Sequence, residues 1–424
     1  MNTNQRSGFY NLGIAPGILE ILEKLHFKTP TPIQEQSIPI ATEGKDLVGI
    51  AQTGTGKTLA YGIPLLQRIV GNDGLGLVIA PTRELALQID ETLCKVGMPL
   101  NVRTAALIGG ESIGRQISDI RRNPHIIIGT PGRILDHVGQ KTLSLHKVSV
   151  LVLDEADRIL DMGFAPQLRR ILSILPRQRQ TMLFSATMPE EVIKIAKSFL
   201  KLPIRVEIAR SGTIVKDVTQ ELFFVSKNQK SQLLEKMLQE YRGSILVFAR
   251  TKHGAKKITR LVKALGHGAA EIHGNRSLNQ RKDALQGFKT GRYRVLVATD
   301  IAARGIDVTN IELVLNYDLP QAAEDYVHRI GRTARAGAGG HAISFAEPNQ
   351  SSDVRAIERL IRKTLPVSKI PELPALNPTH LLKMKTTDSW GGVGTERIIK
   401  KPFHYRRSTN KHRNRSRFNS RSRH

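Results

Sequence analysis

A single cysteine, Cys94, stands in 424 residues. One thiol excludes an intramolecular disulfide and any cysteine-based zinc cluster, and a reducing cytoplasm is the expected compartment. No apolar run approaches the ~20 residues of a membrane-spanning helix, so no such span is expected. The opening stretch, residues 1–14, carries no apolar core of an export signal. Acid is scarce. Asp and Glu number 37 against 64 Lys and Arg, for a net charge of +27. Such an excess favours a polyanionic partner, nucleic acid ahead of an anionic membrane. The imbalance is steepest over residues 397–424, which hold 11 basic residues and no Asp or Glu. A segment of that composition cannot bury a core. It is expected to stay disordered and to tether RNA without sequence preference.

What is present is globular. The length suits two or three domains that each bury a core, and 40% hydrophobic residues is ordinary for such a chain. Up to about residue 208, apolar runs alternate with amphipathic helical patterns. The runs lie at 47–51, 75–80, 102–108, 125–129, 148–154 and 181–186. Several are apolar on both faces, as strands of a helix-covered parallel sheet are. This predicts an open α/β sheet with ligands at the C-terminal ends of its strands. A second series, at 221–225, 244–249, 268–273, 293–299, 311–317 and 341–346, repeats the alternation. Beyond Val367 the pattern fades among Pro366, Pro371, Pro374 and Pro378. The expected division is a first domain over 1–208, a linker over 209–218, a second domain over 219–367 and a basic tail over 368–424.

The string AQTGTGKT, residues 51–58, follows the first run and opens a helical pattern. A strand, a glycine turn and a helix N-terminus make a phosphate cradle. Gly54 and Gly56 let the backbone turn sharply and approach phosphate oxygens. Lys57 can reach the outer phosphates, and the Thr58 hydroxyl can ligate Mg²⁺. Ala51 stands where the strict pattern asks for Gly. The bland alternative is a Gly/Thr-rich turn. A nucleoside triphosphate is therefore the expected ligand.

Other strings stand where such a ligand needs them. Asp154 ends a strand and is placed to hold Mg²⁺, with Glu155 next to it to polarise a water. SAT, residues 185–187, ends the following strand. Gln34 in PTPIQ offers a donor and an acceptor that suit the N6/N7 edge of adenine. PTREL after Ala80, the pair Gly109 and Gly110, and TPGR at 130–133 offer N–H groups to the phosphates of a single strand. In the second series, Arg329, Arg332 and Arg335 recur every three residues, so a helical turn would put them on one face. A cleft enzyme with its phosphate loop on one domain needs such cations from the other to sense the γ-phosphate.

Taken together, residues 9–367 resemble the DEAD-box RNA helicases in motif order. The match comprises Phe9, Phe27 and PTPIQ as the Q motif, AQTGTGKT, PTRELA, GG, TPGR, DEAD, SAT, VFART, ATDIAARGID and HRIGRTAR. The compact core and the HGN at 273–275 are most similar to the bacterial RhlE-type subgroup. The resemblance implies two tandem RecA-like parallel-sheet domains that use ATP and Mg²⁺. It implies nucleotide contacts from Phe9, Phe27, Gln34, Asp307 and the whole cradle: Ala51, Gln52, Thr53, Gly54, Thr55, Gly56, Lys57 and Thr58. It makes Asp154 the metal carboxylate, Glu155 the residue acting on water, and Arg332 and Arg335 the arginine fingers. Asp157, Ser185, Thr187 and His328 would couple hydrolysis to unwinding. RNA phosphates would lie along Thr82, Arg83, Gly110, Thr130, Arg133, Arg250, Gly274, Thr299 and Arg304.

Three positions depart from the family pattern. Leu278 stands where a Gln is frequent, three before Arg281. Ala334 replaces the usual Gly of HRIGRTGR, and His26 replaces the Gly before Phe27. The expected activity is an RNA-stimulated ATPase that separates short duplexes or remodels RNA–protein complexes. Ribosomal precursors and RNA-decay complexes are the settings such a family member would act in. Alternatives are an ATP-gated RNA clamp that does not unwind and a DNA helicase, which the Q motif counts against. A non-enzymatic RNA chaperone would leave Lys57 and Glu155 unexplained.

Overall fold

The computed structural model describes residues 8–52, 54–208, 218–303, 308, 311–333 and 339–374. Among these, two wholly parallel sheets form. The first holds β1 (Leu47–Ile50), β2 (Leu75–Ile79), β3 (Thr104–Leu107), β4 (Ile126–Gly129), β5 (Val148–Leu153), β6 (Gln180–Ser185) and β7 (Ile204–Glu207), in the order β3-β4-β2-β5-β6-β1-β7. The second holds β8 (Val218–Phe224), β9 (Ile245–Phe248), β10 (Ala269–Ile272), β11 (Val295–Ala298), β12 (Leu313–Asn316) and β13 (Gly340–Ala346), in the order β10-β11-β9-β12-β13-β8. Parallel neighbours need crossover helices, which cover both faces. Central strands such as β1, β9 and β11 are buried at every position. Separate apolar clusters pack each sheet, so each unit has its own core.

The helices start where local chemistry permits. Thr82 caps the helix Arg83–Gly97, its Oγ1 accepting from Leu85 N at 3.2 Å. Thr251 and Ser277 cap the helices Lys252–Ala264 and Leu278–Lys289 in the same way. Each supplies an acceptor to a first-turn N–H that lacks an intrahelical partner. The helix Pro16–Lys24 ends with Phe27 N bonded to Leu22 O at 2.9 Å, which sets His26 at φ +61°. That left-handed position favours glycine, so His26 carries a conformational cost there of ~1 kcal/mol.

Two features differ from the sequence expectation. Strand β7 was not foreseen: three of its four positions are exposed, because it is an edge strand beside β1. The second domain also runs past Val367. Ser368 N bonds to Leu222 O at 2.9 Å, and Gln232 Nε2 donates to Pro374 O at 2.8 Å. The prolines stop a helix there, yet the extended chain they leave docks on edge strand β8. Of the expected linker 209–218, Val218 instead opens β8, while residues 209–217 lie outside the described residues, as does the segment 375–424. No helix among the described residues is long and apolar enough to cross a membrane.

The two units meet face to face. Arg158 Nη1 donates to Asp325 Oδ1 at 2.6 Å, and Arg281 Nη1 lies 3.0 Å from Glu84 Oε1. Lys282 Nζ reaches Glu111 at 3.5 Å. Leu278, buried, joins the apolar cluster of the first domain. Leucine at this departure from the family pattern therefore serves contact between the two domains.

Candidate active site and nucleic-acid interface

The phosphate loop joins β1 to the helix Lys57–Ile69. Gly54 and Gly56 take φ of +81° and +88°. A Cβ on Gly56 would also lie 2.4 Å from Gln34 Nε2, so only glycine fits that turn. Thr55 Oγ1 donates to Gln52 O at 2.7 Å and Lys57 Nζ to Ala51 O at 3.0 Å. Thr53 lies outside the described residues. Gln34 is buried, with Nε2 donating to Gly56 O and Oε1 accepting from Thr31 N, each at 2.9 Å. One bond to each end leaves the amide a second N–H and a second lone pair. Phe27 is 37% exposed, so its ring is accessible. Phe9 is different: at 1% exposure it packs in the apolar cluster and presents no face to a nucleotide.

At the end of β5, Asp154 is buried. Its Oδ2 accepts from the Tyr61 hydroxyl at 2.9 Å and its Oδ1 from Glu155 N at 2.9 Å. Burial raises its pKa to about 6, against the pull of Lys57. Glu155 precedes the helix Ala156–Asp161 at φ +50°, a costly backbone for a carboxylate residue. Asp157 Oδ2 accepts from both Thr187 N and Thr187 Oγ1, at 2.8 and 2.7 Å, and Asp157 N donates to Ser185 Oγ at 3.2 Å. The expected coupling residues of the first domain are thus one hydrogen-bonded unit.

His328 faces that unit from the helix Ala323–Ile330. It lines a small cavity with Gln52 and Thr187, and another with Arg158 and Arg332. Burial, with Arg158 and Arg332 adding to it, holds His328 well below its ordinary pKa, so it is neutral at pH 7. The expected single face of three arginines is not what forms. Gly331 ends the helix, so Arg332 lies beyond it. Arg329 turns inward: its fork meets Asp300 at 2.5 and 2.7 Å, and its Nη1 donates to Asn316 Oδ1 at 3.0 Å. It holds the second domain together and is not available to a phosphate. Arg304, Asp307, Ala334 and Arg335 lie outside the described residues.

The expected RNA contacts fall in two cavities. A groove of about 370 Å³ crosses the domain boundary, lined by Thr82, Arg83, Thr130, Arg133, Gly274 and Arg281. Gly110, at φ +81°, wraps the Arg83 guanidinium: a Cβ there would lie 2.3 Å from Nη1. Arg250 and Thr299 line a second cavity, of about 780 Å³, together with Thr187 and His328.

Comparison with known proteins agrees with this geometry. The profile of the DEAD/DEAH box helicase family matches residues 31–195, and that of the helicase conserved C-terminal domain matches 229–337. The ATP-dependent rRNA helicase RRP3 of Debaryomyces hansenii is 41% identical over 377 residues, 88% of this chain and 79% of that protein. The DEAD-box ATP-dependent RNA helicase CshA of Bacillus cereus is 42% identical over 368 residues, 86% of this chain and 70% of that protein. The chain belongs to the DEAD-box family of ATP-dependent RNA helicases. Its two RecA-like domains superpose on S. cerevisiae Dbp5 bound to RNA and ADP BeF3 with a TM-score of 0.78 at 30% identity, over 90% of this chain and 99% of that one.

Sequence reasoning missed three residues of this helicase that the structure brings to the sites. Arg158 follows the DEAD string directly, but its partner Asp325 is 167 residues away. Tyr61 meets Asp154 across 93 residues. Gln116 is buried, and its Nε2 donates to Ile108 O at 2.8 Å, just before the glycine pair. Gln116 Oε1 accepts from Arg133 Nη1 at 3.1 Å and lies 3.1 Å from His137 Nε2. One buried amide thus ties the glycine pair to TPGR. No local string marks any of the three, since each works through a distant partner.

Proposed function

We propose that this helicase binds ATP and Mg²⁺ in the first domain, closes the second domain over them, and holds one RNA strand in the groove that crosses both. The observation that carries this is the packing of His328, from the second domain, beside Gln52 and Thr187 of the first, with Arg332 lining a cavity with Arg158. Residues 54–58 suit a triphosphate because the glycine turn, which leaves no room for a side chain against Gln34, leads straight into a helix N-terminus whose N–H groups favour an anion. A hard divalent cation suits the oxygen donors of Thr58 and Asp154. Mg²⁺, when bound, offsets phosphate charge.

In this reading Glu155 takes a proton from the attacking water. Lys57 leaves Ala51 O for the outer phosphates, and Arg332, with Arg335, meets charge that develops on the γ-phosphate. Closure excludes water and assembles both sets of groups. The Asp157–Ser185–Thr187 unit, packed beside His328, passes closure on to the cavity lined by Arg250 and Thr299. Thr82, Arg83, Gly110, Thr130, Arg133 and Gly274 hold phosphates of one strand, contacts that carry no sequence preference. A lone thiol suits a cytoplasmic setting, and the HGN string supports an RhlE-type placement.

Gln34 and Phe27 are assigned to adenine. Guanine presents two acceptors where adenine presents a donor and an acceptor. ATP turnover is expected to exceed GTP turnover, and Gln34→Ala to lose most of that preference. Measuring kcat/KM for both nucleotides checks this. Equal use of ATP and GTP by the unmodified protein removes the assignment.

Separation of a short RNA duplex, followed with ATP and without nucleotide, tests the function itself. Strand release that depends on ATP supports the helicase reading. ATP hydrolysis and RNA retention without strand release would favour the ATP-gated clamp.

A further inference from the structure

Tyr61 is bonded to Asp154 from within the core of the first domain and has no part in the roles above. It lies three residues after Thr58 on the helix Lys57–Ile69, so the two side chains share a face. The phenol is fully buried, and a buried hydroxyl must find a hydrogen bond. It donates to Asp154 Oδ2 at 2.9 Å, and the Thr58 hydroxyl lies in bonding reach. The ring cannot swing away. Its centroid is 5.3 Å from that of Phe184, at an interplanar angle of 56°. Phe184 in turn presses on Gly49 of β1, where a Cβ would lie 2.5 Å from the ring.

We propose that the Tyr61 hydroxyl is a positioning group for the divalent cation: it orders Thr58 and Asp154 for metal binding without touching the metal. The inference rests on the assignment of those two residues to Mg²⁺. A threonine hydroxyl has one proton and two lone pairs. To give a lone pair to a cation, it must send its proton elsewhere. The Tyr61 oxygen receives that proton, because its own proton is committed to Asp154. The chain Thr58 O–H to Tyr61 O–H to Asp154 Oδ2 therefore has one direction. It turns the Thr58 lone pairs outward and fixes one carboxylate oxygen, while Glu155 N at 2.9 Å fixes the other. Outer groups of this kind set ligand orientation at metal sites.

Tyr61→Phe keeps the ring and its packing and removes only the oxygen. Mn²⁺ affinity of the full-length protein with a non-hydrolysable ATP analogue, read from the spin resonance of free Mn²⁺, is expected to fall by roughly 10-fold or more. The Mg²⁺ concentration for half-maximal ATP turnover should rise by a similar factor. ADP affinity in EDTA, which needs the fold and the cradle but no metal, should hold. Unchanged Mn²⁺ affinity in Tyr61→Phe overturns the proposal. So does a parallel loss of ADP affinity in EDTA and of thermal stability, which would make Tyr61 a packing residue. Asp154→Asn separates the two levels. If it too leaves Mn²⁺ affinity intact, the metal assignment itself fails; if it lowers that affinity while Tyr61→Phe does not, only the positioning role falls.

Discussion

Glu155→Gln is expected to slow ATP turnover by ~10²-fold or more while ATP and RNA still bind. The side chain keeps its size and an acceptor oxygen, but an amide cannot take a proton from water. The backbone supports a dedicated role. Glu155 is held at φ +50° between β5 and the helix Ala156–Asp161, and it is buried. A non-glycine residue there costs energy that packing elsewhere must offset, and such cost clusters at functional sites. Single-turnover hydrolysis, with nucleotide and RNA affinities measured alongside, checks the expectation. Turnover close to that of the unmodified protein would remove Glu155 from the reaction.

Arg332→Ala should depress the RNA-stimulated rate on the order of 10³-fold, and ATP affinity far less. A group that meets charge developing only in the transition state lowers kcat, whereas ground-state binding shows in KM. The structure accounts for its delivery. Asp325, on the same helix as His328, is pinned to Arg158 beside the DEAD string at 2.6 Å. Arg332 follows that helix and lines a cavity with Arg158 and His328. Arg332→Lys should restore little, since an ammonium lacks the planar fork. Equal losses in rate and affinity would make Arg332 a binding residue only.

Much of the fold was legible because parallel strands buried on both faces must be apolar throughout. The runs at 125–129 and 148–154 announce β4 and β5 without any partner in view. Strand β7 stayed hidden for the converse reason: an exposed edge need not be apolar. The phosphate loop, the DEAD carboxylates and the SAT unit stand at strand ends, since each is a local string whose backbone geometry follows from the strand before it. Periodicity misled at the arginines. A repeat of three implies one face only while the helix lasts, and Gly331 ends it, so Arg329 is structural and Arg332 faces the cleft. Phe9 was read as a nucleotide contact through its motif, but burial gives it to the core. The closure contacts Arg158–Asp325 and Arg281–Glu84 were beyond reach, because ion pairs between domains leave no mark on spacing.

The central claim is that ATP and RNA are joined through one cleft that both domains build. RNA affinity of the full-length protein, measured with and without ADP–beryllium fluoride, tests it most directly. Coupling through closure predicts that the nucleotide analogue tightens RNA binding by roughly 10-fold or more, and that RNA tightens the analogue by the same factor. Equal RNA affinity in both states would contradict it.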